Sequence, residues 1–311
     1  MTITSFMDFE TAGRATLQFL QERMGFGLWM ITRVEGNDWI VLQTEDQSYG
    51  VKPGQVFNWA DSFCSQMIKG LGPRIAPNAD EVPVYASAAI GRLVPIKSYI
   101  GQPIMQEDGT LFGTLCAIDP VTKPESLKEE QSLIELLGGL LSSILQKELR
   151  ENTHIRRAER LEAEILTDEL TQLYNRRGWD RLLEAEENRC RRHGNPAALY
   201  ILDLDNLKYV NDTFGHAAGD DLIKRAAEAL AYAARTDDIV ARLGGDEFGI
   251  ISIECDEKGA RTFLKRIEEI LSRHEVKASI GYALRHPASG LQTAWVHADE
   301  QMYVKKKNRK A

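Results

Sequence analysis

Residues 242–250 read RLGGDEFGI, two adjacent glycines and two adjacent acids set between apolar residues. The flanking runs DIVARL (238–243) and FGIISIE (248–254) have strand character, so Gly244, Gly245, Asp246 and Glu247 predict the tip of a β-hairpin. Glycine tolerates positive φ and lets another group come close to the backbone. Alternation along the chain sends the Asp246 and Glu247 side chains in different directions. A second acidic site lies upstream in NPAALYILDLD (195–205), an apolar run that predicts a buried central strand. It ends in Asp203 and Asp205 on one face, with Leu204 pointing away. A carboxylate there is costly unless it is paired or ligates a cation. If the two strands are neighbours, Asp203 meets Asp246, and like charges that close raise a pKa unless divalent cations bridge them. An all-oxygen donor set favours Mg²⁺ or Mn²⁺ over zinc. Two such ions on shared carboxylates are a device for phosphoryl and nucleotidyl transfer.

Working outward, the rest of residues 167–311 alternates strand and helix: a helix in GDDLIKRAAEALAYAAR, a helix in GARTFLKRIEEILSRH, a strand in VKASIGYAL and a last helix carrying ADEQMYVKKKNRK. That order predicts a sheet covered by helices. Residues 1–124 read as mixed α and β, with LWMITRV and WIVLQTE as a hairpin around Glu35-Gly36-Asn37. SYIGQPI and LFGTLCAID form a second hairpin around Asp108-Gly109, with a helical stretch near 58–69 and a loop at 70–83 between the two. Residues 125–166 change to helix. Leu133, Leu137, Leu140 and Ile144, then Ala158, Leu161 and Ile165, follow heptad spacing across a polar middle. This is read as a signalling linker that pairs with its twin in a homodimer, the alternative being a helix packed on its own domain.

The 311-residue length and 43% hydrophobic content suit two folded domains of α/β (α+β) class. No apolar run reaches the roughly 20 residues of a membrane helix, and MTITSFMDFE lacks a signal-peptide pattern, so the expectation is a soluble cytoplasmic protein without a membrane partner. The net charge of −8 argues against a nucleic-acid polymer as partner. Cys64, Cys116, Cys190 and Cys255 suit neither a zinc site nor a disulfide framework and are expected as buried, reduced thiols.

Four stretches in order carry a family resemblance: DELTQLYNRRGW (168–179), DLDNLKYVNDTFGHAAGDDLI (203–223), RLGGDEF (242–248) and ADEQMYVKKKNRK (298–310). They resemble the motifs of the GGDEF family of diguanylate cyclases. The resemblance implies a nucleotidyl-cyclase or palm-like fold and the condensation of two GTP into cyclic di-GMP and two pyrophosphates, with two catalytic domains facing each other. It implies that Asp203, Asp246 and the Leu204 carbonyl hold Mg²⁺ (or Mn²⁺), two per active site, and that Glu247 is a further metal contact or the general base. Lys208 would offset charge on the phosphates, and backbone N–H groups after Asp203 would meet phosphate oxygens. Asn211 and Asp220 would read guanine, Asp accepting from N–H groups that adenine does not offer. His216 is expected to order its loop and Arg242 to brace the hairpin. Leu207 replaces the family's usual Phe near the phosphates. Lys306 matches the phosphate-binding Lys, whereas Lys310 stands where Arg is usual and loses the bidentate fork. Arg235 and Asp238 have the RxxD spacing of the family's product-inhibition site, where cyclic di-GMP acts as inhibitor; ordinary helix-end charges are the alternative.

The N-terminal domain resembles a GAF sensor domain through DGTLFGTLCAIDP (108–120) and its hairpin order. Its ligand is unknown. Residues 1–150 contain no histidine, which excludes a His-ligated haem or zinc there. Trp29, Trp39 and Trp59 are candidates for an apolar pocket or plain core. Rivals to the cyclase reading are a catalytically degenerate domain that binds GTP or cyclic di-GMP, and an ATP-using cyclase.

Overall fold

The computed structural model describes the backbone of residues 8–163 and 166–310, and side chains for 8–159 and 166–308. Ile165 of the expected heptad seam and the side chains of Leu161 and Lys310 lie outside the described residues. The chain divides into two units, Met1–His154 with Arg192–Gly194, and Ile155–Arg191 with Asn195–Ala311.

In the first unit, α1 (Phe9–Met24) precedes the hairpin β1 (Leu28–Glu35) and β2 (Asp38–Asp46). Then come β3 (Val56–Asn58), α2 (Phe63–Ile68), β4 (Ile75–Ala76) and α3 (Pro83–Ala86). The hairpin β5 (Ser98–Met105) and β6 (Leu111–Asp119) leads into α4 (Gln131–Ala163). The sheet order is β3-β2-β1-β6-β5-β4 with every pair antiparallel. Both hairpins fall where the sequence places them. α1 was not anticipated; Asp8 caps it, its side chain accepting from Thr11 N while the Thr11 hydroxyl returns a bond.

Alternating side chains divide this sheet into two cores. One holds Trp29, Ile31, Ile100 and Leu115 against α1 and α4; the other holds Met30, Trp39, Tyr99 and Cys116 against α2 and Tyr85. Trp29 is thus on the opposite face from Trp39 and Trp59, and the three tryptophans do not line one pocket. On α4 the buried face is Ile134, Gly138, Leu141 and Leu145, one position off the expected seam, while Leu136 (60% exposed) and Leu140 (52%) face outward.

The second unit continues with α5 (Arg176–His193), β7 (Ala197–Leu204), α6 (Leu207–Phe214) and α7 (His216–Ala233). After them come β8 (Ile239–Gly244), β9 (Glu247–Ile253), α8 (Glu257–Arg273), β10 (Ala278–Leu284) and α9 (Gly290–Lys310). The sheet is antiparallel in the order β10-β7-β9-β8, so β7 is central and buried at all eight positions, as its apolar run predicts. Its even residues Ala198, Tyr200, Leu202 and Leu204 pack with α7 and α8. Its odd residues Ala197, Leu199 and Ile201 pack with α5 and α9. The helix α9 approaches closely because Gly281 has no side chain: a Cβ there would fall 1.9 Å from Ala298 O. All four cysteines are free and buried, as expected. Among the described residues no helix is long and apolar enough to cross a membrane.

Candidate active site

The parity of β7 decides where its acid points. Asp203 continues the odd series, so its carboxylate emerges on the side of α9, and there it meets Lys306, one turn beyond the buried Met302. Lys306 Nζ donates to Asp203 Oδ2. Asp203 is 3% exposed, and its other oxygen, Oδ1, is buried with no hydrogen-bond partner among the described residues. An orphaned, buried carboxylate oxygen is costly, and the deficit is one that a cation would remove.

The hairpin between β8 and β9 brings further acids. Gly244 pairs with Glu247 across a two-residue turn of Gly245 and Asp246. Gly245 has φ +43°, a left-handed conformation that side-chain-bearing residues adopt at a cost. A Cβ at Gly244 or Gly245 would meet nothing within 4 Å, so the glycines leave open space at the hairpin tip. β7 and β9 are neighbours: Asp203 stands opposite Glu247, and Leu204 N donates to Asp246 O at 2.9 Å. Burial raises the Asp203 pKa; the Lys306 hydrogen bond opposes this and the Asp246 charge adds to it. Glu247 is raised by partial burial and then by the charges of Asp203 and Asp246. The expected upward direction is therefore present. No group of three or more His, Cys, Asp or Glu side chains close enough to hold an ion occurs among the described residues. An ion here would need backbone and substrate oxygens besides the carboxylates.

Arg242 braces the turn as expected: its Nη2 and Nε donate to Gly245 O at 2.9 and 3.1 Å. The partner that holds this guanidinium, Asp168 at 3.2 Å, was not anticipated. Burial pushes the Asp168 carboxyl up, but hydrogen bonds from Thr171 and Arg242 outweigh it and hold it below the ordinary range. The residue opens the stretch DELTQLYNRR, and nothing in its spacing points to a partner 74 residues away.

After β7 the chain turns through Asp205 and Asn206. Asp205 is outside the strand; its N–H donates to Lys277 O at 2.9 Å and its Oδ1 accepts from Ser279 Oγ at 2.9 Å. Asn206 has φ +66°, a left-handed conformation that asparagine tolerates, and from it α6 starts. An open cleft of about 1370 Å³ lies here, lined by Leu204, Leu207, Lys208, Asp246 and Lys306. Lys277, which sequence reading passed over, lines it too.

Asn211, His216, Asp220 and Glu247 are not among the residues lining that cleft. Asn211 on α6 lies against Gly219, where a Cβ would fall 1.8 Å from Asn211 Oδ1; Asp220 is the next residue of α7 and is exposed. His216 begins α7 and is exposed. Arg235 and Asp238 sit at the far end of β8 from the hairpin, Arg235 exposed and Asp238 buried. Asp238 accepts from Arg235 N (2.8 Å), Ser252 Oγ (3.0 Å) and Ile253 N (3.3 Å), so its carboxylate is spent on closing the α7–β8 turn.

The same region carries the similarity to known proteins. A family model described as diguanylate cyclase, GGDEF domain, matches residues 165–311. The chain is 29% identical to diguanylate cyclase DgcP of Escherichia coli K12 over 281 residues, 87% of this chain and 81% of that protein. It is 34% identical to the probable diguanylate cyclase DgcC of the same strain over 157 residues, spanning 48% of this chain and 42% of that one. Among solved structures, the GGDEF domain of DgcB from Caulobacter crescentus in complex with c-di-GMP is 30% identical, with a TM-score of 0.43, covering 46% of this chain and 91% of that one. Residues 165–311 are a diguanylate cyclase domain of the GGDEF family.

Proposed function

We propose that this domain condenses two GTP into cyclic di-GMP and two pyrophosphates. The observation that carries the reading is the Lys306–Asp203 pair, with one Asp203 oxygen unpartnered beside the hairpin that bears Asp246 and Glu247. Asp203, Asp246 and the Leu204 carbonyl would hold divalent metal, Mg²⁺ or Mn²⁺, two ions per site as in the family pattern. When bound, the metal offsets charge that develops on the α-phosphate and the leaving pyrophosphate. Lys208 and Lys306, both on the cleft, face the triphosphate. Glu247 takes the proton of the attacking 3′-hydroxyl or adds a metal contact. Asn211, packed against Gly219, and Asp220 read the guanine edge, and Asp220 favours GTP over ATP. Each 3′-oxygen attacks the other nucleotide's α-phosphorus and displaces pyrophosphate, so two domains must meet.

In the same reading the chain works as a homodimer. Residues 1–124 serve as a GAF-type sensor whose ligand is open, supported by the sheet between helices and the hairpin order. Product binds at Arg235, with Asp238 fixing the turn that presents it. Incubation with GTP and Mg²⁺ followed by nucleotide chromatography tests the activity: cyclic di-GMP is expected from the full chain and none from Asp203→Asn. GTP binding without any product at high protein concentration would instead establish a degenerate binding domain. Turnover of ATP in place of GTP would displace the guanine assignment of Asp220.

A further inference from the structure

Two thiols lie together in the first unit, on the sheet face that packs with α2: Cys64 on α2 and Cys116 on β6. A chain of buried polar groups leads to them. Trp39 Nε1 donates to Thr32 Oγ1 at 2.9 Å, and Thr114 N donates to the same oxygen at 3.2 Å. With both lone pairs of that hydroxyl engaged, its proton must go to Thr114, either to O (3.1 Å) or to Oγ1 (2.9 Å). The Thr114 hydroxyl proton then turns to sulfur, 3.5 Å from Cys64 Sγ and 3.6 Å from Cys116 Sγ. Tyr99 OH donates to Cys64 Sγ at 3.3 Å. Donors thus converge on Cys64.

That is an unusual use of a buried phenol. Tyr85 OH and Tyr200 OH each donate to a backbone carbonyl, of Pro73 and Ala260. A neutral thiol is a weak acceptor, whereas a thiolate makes a strong, charge-assisted bond. The room for the Tyr99 hydroxyl comes from Gly101, which pairs with Cys116 across the strands; a Cβ there would fall 1.9 Å from Tyr99 OH. Both cysteines and Tyr99 line a cavity of about 20 Å³, enough for one water-sized molecule. Burial pushes both thiols up. At Cys64 the bonds from Cys116, Tyr99 and Thr114 outweigh it and hold the group below the ordinary range, whereas Cys116 stays well above.

We propose that Cys64 reacts as a thiolate with a small hydroperoxide and that Cys116 resolves the product to a Cys64–Cys116 disulfide. In the first step the Cys64 sulfur attacks a peroxide oxygen, the O–O bond breaks, and Cys64 becomes a sulfenic acid while hydroxide or alkoxide leaves. That base takes the Cys116 proton. The Cys116 sulfur then attacks the Cys64 sulfur, the S–O bond breaks, and the departing hydroxide leaves as water after taking up the proton that Cys64 had given up. Two thiols lose two electrons, and the hydroperoxide is reduced to water and an alcohol, or to two waters from hydrogen peroxide.

Peptide mass spectrometry of the reduced full-length protein after hydrogen peroxide treatment tests this. The expected product is a 64–116 linkage that dithiothreitol reverses, with Cys190 and Cys255 still free to alkylate. Cys116→Ser should leave a sulfenic acid at Cys64 that dimedone traps. Tyr99→Phe removes one donor and should slow oxidation about tenfold, with Thr114→Val as the parallel variant. Equal oxidation of all four cysteines, or free Cys64 and Cys116 under peroxide that oxidises added free cysteine, would overturn the proposal.

Discussion

Lys306 is the cation that Asp203 holds in the structure. Lys306→Met removes it while keeping most of the stem, leaving a buried carboxylate beside Asp246 without compensation. The variant should be about 1–3 kcal/mol less stable in chelator, with part of the loss recovered in Mg²⁺; thermal melts with and without the ion check this. Asp168 gives a pH prediction. Its folded pKa is depressed, so its stabilising contribution is complete above the unfolded value of about 3.9 and fades as pH falls through the folded value. Asp168→Asn should therefore be less stable than the parent near neutrality, and the gap should close in acid; urea titrations across pH 2–7 (roughly the span of the effect) measure it. The face on which Asp203 stands was legible from parity; its neighbourhood with the hairpin acids was left conditional on β7 and β9 being adjacent, which only the sheet order supplies. The Asp168–Arg242 pair and the three bonds on Asp238 were not, since they depend on how separate turns pack.

Among the elements, α9 carries both core and chemistry. Leu291, Ala294, Ala298 and Met302 fix it on the sheet, and Lys306 extends the same face to the site. Gly281→Ala forces a methyl into Ala298 O, so the expected outcome is a loss of about 1–3 kcal/mol together with weaker triphosphate binding, read by denaturation and by GTP titration. The strands of both hairpins were legible from alternation and glycine turns. α5 was not: Trp179, Leu182, Leu183 and Cys190 do form a helical stripe, but charged residues crowd around it and dilute the period. On α4 the heptad reading marked a seam for a partner helix, and the face that packs on the helix's own domain runs one position away from it. A 3.6-residue period lets Ile134, Leu141 and Leu145 pack inward while Leu136 and Leu140 remain outside.

At the scale of the whole molecule, the outward stripe of α4 is what the proposed homodimer has to use. Leu136→Glu with Leu140→Glu should lower the sedimenting mass to that of one chain without changing the melting of the fold, because both side chains are already exposed. The same variant should lose cyclic di-GMP formation, and in the parent the activity per chain should rise with protein concentration. Each unit has its own pair of cores on the two faces of its own sheet. Alternation along β7 also restricts how this gene can change. Losing one codon between 197 and 202 would rotate every residue upstream of the gap to the opposite helical layer while the acid kept its place. Where the lost codon is 201 or 202, Tyr200 would be driven into the layer that Trp179, Leu182 and Met302 already fill, so evolution can exchange letters in this strand far more easily than it can shorten it.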